Sequence, residues 1–325
     1  MRSVVHSSFG KPSEVLALAD SPIPTPVPGQ VRIRMKLAAI HNHDLLTAAG
    51  TYGYKPTLPA IGGTEATGTI DALGEGVGGF QPGQRVAVSG VHGTWAEYFV
   101  APAASLVPLP DAISDEAAAQ LIAMPLSALT LLEFVGVQQG QWVIQNAANG
   151  AVAKVLAMIA KTRGINVINL VRRDEIIEEL NALGIGNVVS MSTEGWQDKV
   201  RSIVGSAAIS AAIDGVGGRL AGDMLSLLGE GGLLVSFGAM SGEPLYVSPA
   251  DLIFKQAVVK GFWLSKIASK MPREEMGRLI GELIRLVADG SIVLQVGGIF
   301  DLADISEAAE ASAVPGRAGK ILLRG

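Results

Sequence analysis

QWVIQNAANGAVAKVLAMIAKTRGINVINLVRR, residues 141–173, reads as strand, tight turn, helix, strand and a closing pair of arginines. Gln141 to Gln145 is a short apolar strand. Asn146 to Gly150 is a run of small, turn-prone residues, and Val152, Val155, Leu156 and Ile159 then fall on one helical face. A second apolar strand follows from Ile165 to Val171. A helix that starts just past a strand directs unpaired backbone N–H groups and its positive dipole end at whatever lies there.

A pyrophosphate suits that place, so the stretch predicts half of a dinucleotide-binding fold. The usual fingerprint, G-x-G-x-x-G, lets backbone approach phosphate and helix approach strand. Here only Gly150 is glycine, and Ala151 and Ala153 stand where others are expected, which a generic strand-to-helix turn would also explain. The end of the second strand adds information. An acidic residue there would grip ribose hydroxyls, whereas arginine accommodates a 2′-phosphate. The strand closes on Asn169-Leu170-Val171-Arg172-Arg173, without a carboxylate at its tip, and guanidinium forks suit phosphate. The reading is NADP(H), held by Arg172, Arg173 and the adjoining Asp174. In the alternative reading the arginines open a solvated helix, with Asp174 and Glu175 as partners.

At 325 residues the chain exceeds what one hydrophobic core usually supports, so two domains are expected. Hydrophobic residues make up 49%, charged residues 17%, and the net charge is −5, which fits a globular protein with well-covered sheets. That balance argues against nucleic-acid or anionic-membrane partners. The lack of cysteine removes disulfides, thiolate zinc sites and a cysteine nucleophile. The N-terminus has no signal-peptide core and no apolar run is long enough to span a membrane, so a cytoplasmic location is expected.

From Met1 to about Pro110 the pattern is short strands with turn signals, including Val31 to Ile40, Ala66 to Leu73, Gln84 to Ser89 and Thr94 to Val100. This predicts a compact, partly closed β domain. At Ser114 the texture changes, because Ser114-Asp115-Glu116 looks like a helix start ahead of an Ala- and Leu-rich segment reaching Val135. Strand and helix then alternate, as in an α/β domain with a doubly wound parallel sheet. The end of the chain returns to strands that complete the first domain. The expected division is 1–114 with 290–325, and 115–289.

Ligands of such sheets bind outside the carboxyl ends of the strands. The ends that stand out are Asn146, Asp214 to Gly218, Phe237 to Met240, and Gly261 to Leu264. Glycines in these turns let backbone approach a flat ring, and ordinary turns would also explain them. In the β domain, HNHDLLTAAGTYGYKP (41–56) places Tyr52 and Tyr54 in a glycine-flanked loop. A phenol there can donate a proton or stabilise an oxyanion, or it can simply pack the loop. His41 and His43 resemble half of a metal site, but lack a neighbouring set of further ligands, so no metal is expected. No G-x-S-x-G elbow and no G-x-x-x-x-G-K-[ST] loop is present.

Over essentially its whole length the chain resembles the medium-chain dehydrogenase/reductase superfamily. GQVRIRMKLAAIHNHD, LPAIGGTEATGTIDALGEGV and PGQRVAV are similar to its N-terminal GroES-like domain, and QNAANGAVAK, IDGVGG and FGAM to its Rossmann cofactor domain. Zinc-dependent alcohol dehydrogenases of the family carry a cysteine near His41, Gly-His-Glu in place of Gly63-Thr64-Glu65, and a cysteine-rich lobe that this chain lacks, so the resemblance is to the zinc-free branch. GTYGYKP, LPAIGGTEATG, GTWAEY, VIQNAANGAV and GFWLS resemble the 2-enoyl thioester reductases. Quinone oxidoreductases share the fold and several of the glycines.

The resemblance implies NADPH-dependent reduction of a 2-enoyl thioester, with quinone reduction as the alternative. It implies Tyr52 as proton donor and Asn146 and Gly150 at the cofactor, with Arg172 and Arg173 on its 2′-phosphate. Phe237, Gly238, Ala239, Met240, Phe262, Trp263 and Leu264 would line the nicotinamide side, Trp263 would shape the acyl pocket, and Lys320 would lie near the cofactor. The β-branched strand at Val258 to Trp263 is expected to pair two copies into a homodimer.

Overall fold

The computed structural model describes residues 1–325. They form two compact units, one of Met1–Ala123, Leu283–Ala288 and Leu294–Gly325, the other of Met124–Glu282 and Asp289–Val293. The first unit begins with strands β1 (Arg2–His6), β2 (Ala17–Asp20), β3 (Gln30–Ala39), β4 (Ala60–Ile61), β5 (Glu65–Leu73), β6 (Arg85–Ser89), β7 (Tyr98–Pro102) and β8 (Leu106–Pro108). The second holds β9 (Trp142–Gln145), β10 (Asn166–Val171), β11 (Val188–Ser190), β12 (Ile209–Asp214), β13 (Leu228–Ser236) and β14 (Val258–Gly261). The chain then returns to the first unit with β15 (Val296–Asp301) and β16 (Lys320–Arg324).

The first unit is built on a seven-stranded sheet in the order β15-β16-β3-β5-β6-β8, with β7 paired to β3, and on a three-stranded sheet β2-β1-β4. Strand β3 shows why it forms: Val31, Ile33 and Met35 are buried while Arg34 and Lys36 face water, the two-residue alternation of a strand with one solvated face. Trp95, fully buried, ties the sheets together through an indole N–H donated to the Ala39 carbonyl at 3.1 Å. A Cβ on Gly62 would sit 2.4 Å from the Trp95 ring, so only glycine lets that backbone pass the indole. Residues 94–96, expected to open a strand, instead bond to Gly62, Gly63 and Val4, and the ladder with β3 begins only at Tyr98.

In the second unit all neighbouring strands are parallel, in the order β11-β10-β9-β12-β13-β14. Counted from β9 this is 3-2-1-4-5-6, the doubly wound order, with its switch point between β9 and β12. The β10 sequence NVINLV is buried at every position after the first, as a strand covered on both faces requires. The helix Ala151–Thr162 buries Ala153 through Ala160.

The division falls at Ala123 and again near Leu294, so residues 115–123 belong to the β-rich unit rather than to the expected second domain. Asp115 anchors them there by accepting the Arg85 guanidinium at 2.9 Å. The helix expected from Ser114 to Val135 is two helices, Asp115–Ala118 and Ala123–Val135. The break has a physical cause: the buried Glu65 carboxyl group takes the N–H groups of Ile122 and Ala123 at 2.6 and 3.0 Å, satisfying donors that open the second helix. None of the helices is long and apolar enough to cross a membrane.

Candidate active site

At the switch point of the second unit, Asn146 is 1% exposed and lies just past β9. Its side-chain amide donates to Asp214 Oδ1 at 2.5 Å, while its oxygen accepts the Gly215 N–H at 2.8 Å. Asp214 also accepts the N–H groups of Val216 and Gly217, both at 3.0 Å. Asn146 is thus spent on shaping the tip of β12 rather than aimed outward, and Asp214 acts as the turn residue its sequence suggested. The Phe237–Met240 segment lies on this tip: Phe237 N–H donates to the Asp214 carbonyl and Met240 N–H to that of Gly215. A Cβ on Gly238 would stand 2.7 Å from the Gly215 carbonyl oxygen, so the close approach needs glycine. Phe237 and Gly238 are half-buried, and Ala239 and Met240 are exposed.

One strand further out, Phe262 N–H donates to Ser236 and its buried ring meets Phe134 edge-on, with centroids 5.4 Å apart. Trp263 is half exposed and precedes the helix Leu264–Ala268.

Gly150 is the N-cap of the helix Ala151–Thr162, whose leading N–H groups lack intrahelical acceptors. Beside them Asn149 Oδ1 is buried without a partner. Ala153 is 4% exposed and its carbonyl accepts the Gln145 amide at 2.9 Å, so its methyl is packed into the interior rather than exposed. Past β10, Arg172 and Arg173 are exposed, and Arg173 lies 3.4 Å from Glu175. Asp174 accepts the Ser192 hydroxyl at 2.8 Å, and the Ser190 and Ser192 hydroxyls hold its carboxyl below the usual range. The helix N-terminus and the arginine pair therefore follow the carboxyl ends of the neighbouring strands β9 and β10, and the chemistry of both fits a phosphorylated dinucleotide.

The first unit gathers a different set. The loop Thr51–Gly53 follows the helix Asn42–Ala48, and Tyr52 is half-buried there with its ring 5.7 Å from that of His43. His43 Nε2 lies 2.7 Å from the Thr64 hydroxyl, which donates to Asp44 Oδ1 at 2.8 Å. Asp44 Oδ2 accepts the His41 N–H. The His41 ring stacks on His43 at 5.1 Å and its Nε2 lies 2.7 Å from Glu65 Oε2, both side chains fully buried.

Burial pushes the Glu65 carboxyl up to about 7 against the pull of the Ile122 and Ala123 N–H groups. It also drives His41 well below the ordinary imidazole range, with Lys320 and His43 adding to the shift. Lys320, 6% exposed at the start of β16, is pushed down to about 8 by burial and by Arg317, with Glu65 and Asp44 opposing. The arrangement can hold, donate and relay protons near neutral pH.

Residues 27–111 match the alcohol dehydrogenase GroES-like domain, and residues 151–282 the family described as zinc-binding dehydrogenase. The mitochondrial enoyl-[acyl-carrier-protein] reductase of Arabidopsis thaliana is 35% identical over 298 residues, spanning 90% of this chain and 79% of that protein. The chain belongs to the medium-chain dehydrogenase/reductase superfamily. A second superfamily relative, the mitochondrial enoyl-[acyl-carrier-protein] reductase of Xenopus tropicalis, is 33% identical over 97% of this chain and 92% of its own. Among solved structures, Escherichia coli quinone oxidoreductase complexed with NADPH superposes with a TM-score of 0.89 at 27% identity over the full length of both chains.

The name of the second family implies zinc, which the residues do not fit: no three His, Cys, Asp or Glu side chains converge to hold an ion, and His41 and Glu65 bond each other. Within this superfamily member the tip residues Asn146, Phe237 and Met240 are joined by hydrogen bonds through Asp214 and Gly215, with Gly238 packed closely on Gly215. Lys320 is buried at the start of β16 in the first unit, where Arg317, Glu65 and Asp44 act on its charge. Glu65, Thr64 and Asp44 escaped the sequence reading. The one signal was a glutamate at the first position of β5, and its importance lies in burial that no local pattern carries.

Proposed function

We propose that this protein is an NADPH-dependent oxidoreductase that reduces the carbon–carbon double bond of 2-enoyl thioesters without a metal. The observation that carries the reading is Tyr52, a half-buried phenol beside a hydrogen-bonded His43–Thr64–Asp44 chain, in a member of a superfamily whose relatives include enoyl reductases. NADPH, when bound, supplies the hydride that adds to the β-carbon. The N-terminus of the helix Ala151–Thr162 binds the pyrophosphate, and Arg172 and Arg173 bind the 2′-phosphate. Asn146 and Asp214 hold the β12 tip, so that the backbone of Phe237–Met240 and the ring of Phe262 present a fixed surface to the nicotinamide. Tyr52 donates its proton to the α-carbon as charge leaves the thioester oxygen, and Trp263 borders the acyl chain.

Tyr52→Phe is expected to lower thioester turnover by about a hundred- to a thousand-fold, with NADPH affinity retained. The check is NADPH oxidation with a short 2-enoyl thioester on both proteins, and an unchanged rate removes Tyr52 as the acid. A second reading, quinone reduction, is favoured by the full-length likeness to quinone oxidoreductase. It needs no protein acid, so turnover of a benzoquinone indifferent to Tyr52→Phe, with the thioester inert, would select it. The molecule works as a homodimer in which the β14 edges pair, since β14 bonds only β13 and exposes Val258, Val259 and the neighbouring Phe254. A monomer by light scattering would overturn that.

A further inference from the structure

We propose that His43 is the residue that returns a proton to Tyr52 after each turnover, with Thr64 and Asp44 fixing the ring for that task. The inference rests on Tyr52 being the acid and adds what restores it.

Donor and acceptor roles around His43 assign its tautomer. Thr64 gives its only proton to the Asp44 carboxylate at 2.8 Å, so toward His43 it can only accept. The 2.7 Å contact is therefore an Nε2–H donated to Thr64 Oγ1. Asp44 is itself pinned, its second oxygen taking the His41 N–H at 2.9 Å, and a carboxylate so held keeps the hydroxyl pointing one way. The Nε2 proton stays in place, which leaves Nδ1 as the nitrogen that gains and loses a proton. The His43 and Tyr52 rings lie 5.7 Å apart between centroids, tilted by 31°, and in the proposed relay Nδ1 exchanges its proton with the phenol directly or through one water.

The other histidines near this loop fit the task less well. His41 is fully buried, kept neutral by desolvation, and committed to Glu65. His92 stacks on Tyr54 at 4.3 Å, and burial lowers it. His43 is 24% exposed, so it can refill from water. The ionisable groups facing it are His41 and Asp44 on its own segment, Tyr52 on the following loop, Glu65 on β5, and His92 on the loop after β6.

The step balances. The Tyr52 O–H bond breaks as the enolate electron pair forms the new C–H bond at the α-carbon, leaving phenolate and a neutral thioester. The His43 imidazolium then gives its Nδ1 proton to the phenolate and becomes neutral imidazole with Nε2–H still on Thr64. Water supplies the next proton.

The test is steady-state thioester reduction by His43→Gln, which keeps a donor for Thr64 but cannot ionise, and by His43→Ala, each alone and combined with Tyr52→Phe. The expected result is a kcat lower by on the order of ten- to a hundred-fold with little change in KM. Added imidazole should restore the rate of His43→Ala, and neither His43 change should slow Tyr52→Phe further. An undiminished kcat in His43→Gln overturns the proposal. So does a loss that imidazole does not repair and that multiplies with Tyr52→Phe, the signature of a structural role. If Tyr52→Phe alone keeps full activity, the acid assignment fails. If Tyr52→Phe is crippled while both His43 variants run normally, only the relay fails.

Discussion

Each unit buries a polar cluster, and the two solve the problem of buried charge in opposite ways. Around Asp214 every partner is a fixed dipole: the Asn146 amide and the backbone N–H groups of Val216 and Gly217 all point at one carboxylate. Around Glu65 the backbone N–H groups of Ile122 and Ala123 on one oxygen are joined by ionisable groups, His41 at 2.7 Å on the other and Lys320 acting through its charge, and burial pushes all three side chains toward their neutral forms. The first kind of cluster locks backbone geometry, as a surface for a flat cofactor requires. The second keeps protons exchangeable close to neutral pH, as an acid site requires.

The sharpest way to break this contrast is to substitute both carboxylates. Asp214→Ala leaves two buried donors and one partly buried donor unpaired and is expected to cost about 3–5 kcal/mol of unfolding free energy in urea titration. Glu65→Gln at pH 6 is expected to cost under about 1 kcal/mol, because below its raised value near 7 the native side chain already carries a proton. The raised value means that the folded state binds this proton more tightly than the unfolded chain. The contribution is full below the unfolded value near 4.5 and is lost as pH climbs through 7. Glu65→Gln should remove that slope, and equal costs for the two variants would erase the distinction.

Lys320 gives the next largest effect. Its folded value of about 8 lies below the ordinary 10.5, so between these limits the unfolded chain binds more protons and stability rises with pH. Relative to Lys320→Met, the wild type should gain on the order of 3 kcal/mol across that window, read from denaturation midpoints. A flat difference would mean that the ammonium is not buried against its neighbours as described.

The smallest effect concerns charge that is exposed rather than buried. Arg172→Ala with Arg173→Ala should weaken NADPH binding by about ten- to a hundred-fold and leave NADH unchanged, measured by fluorescence titration. Equal losses for both cofactors would place the 2′-phosphate elsewhere. Protein stability should move by less than about 0.5 kcal/mol, as for surface sites generally.

Much of the second unit was legible from local pattern. The strand, turn and helix of 141–173 announce themselves by periodicity and turn residues, and the parallel sheet follows from the alternation of strand and helix along the chain. The β-rich unit was readable in its alternating strands and less so in its joints. Trp95 drew residues 94–96 out of the expected strand, and Glu65 split the expected helix at Ile122.

Sequence by itself determined the two sheet types, the strand-to-helix turn after β9, the arginine pair past β10 and the phenol in its glycine-flanked loop, because each depends on residues within a few positions of one another. Only the tertiary structure decided that His41 meets Glu65, that Lys320 arrives beside them from the far end of the chain, and that Asn146 faces Asp214 rather than outward. The physical reason is that a shifted proton affinity and a satisfied carboxylate both arise from burial among distant partners, and burial is a property of the packed fold rather than of any segment.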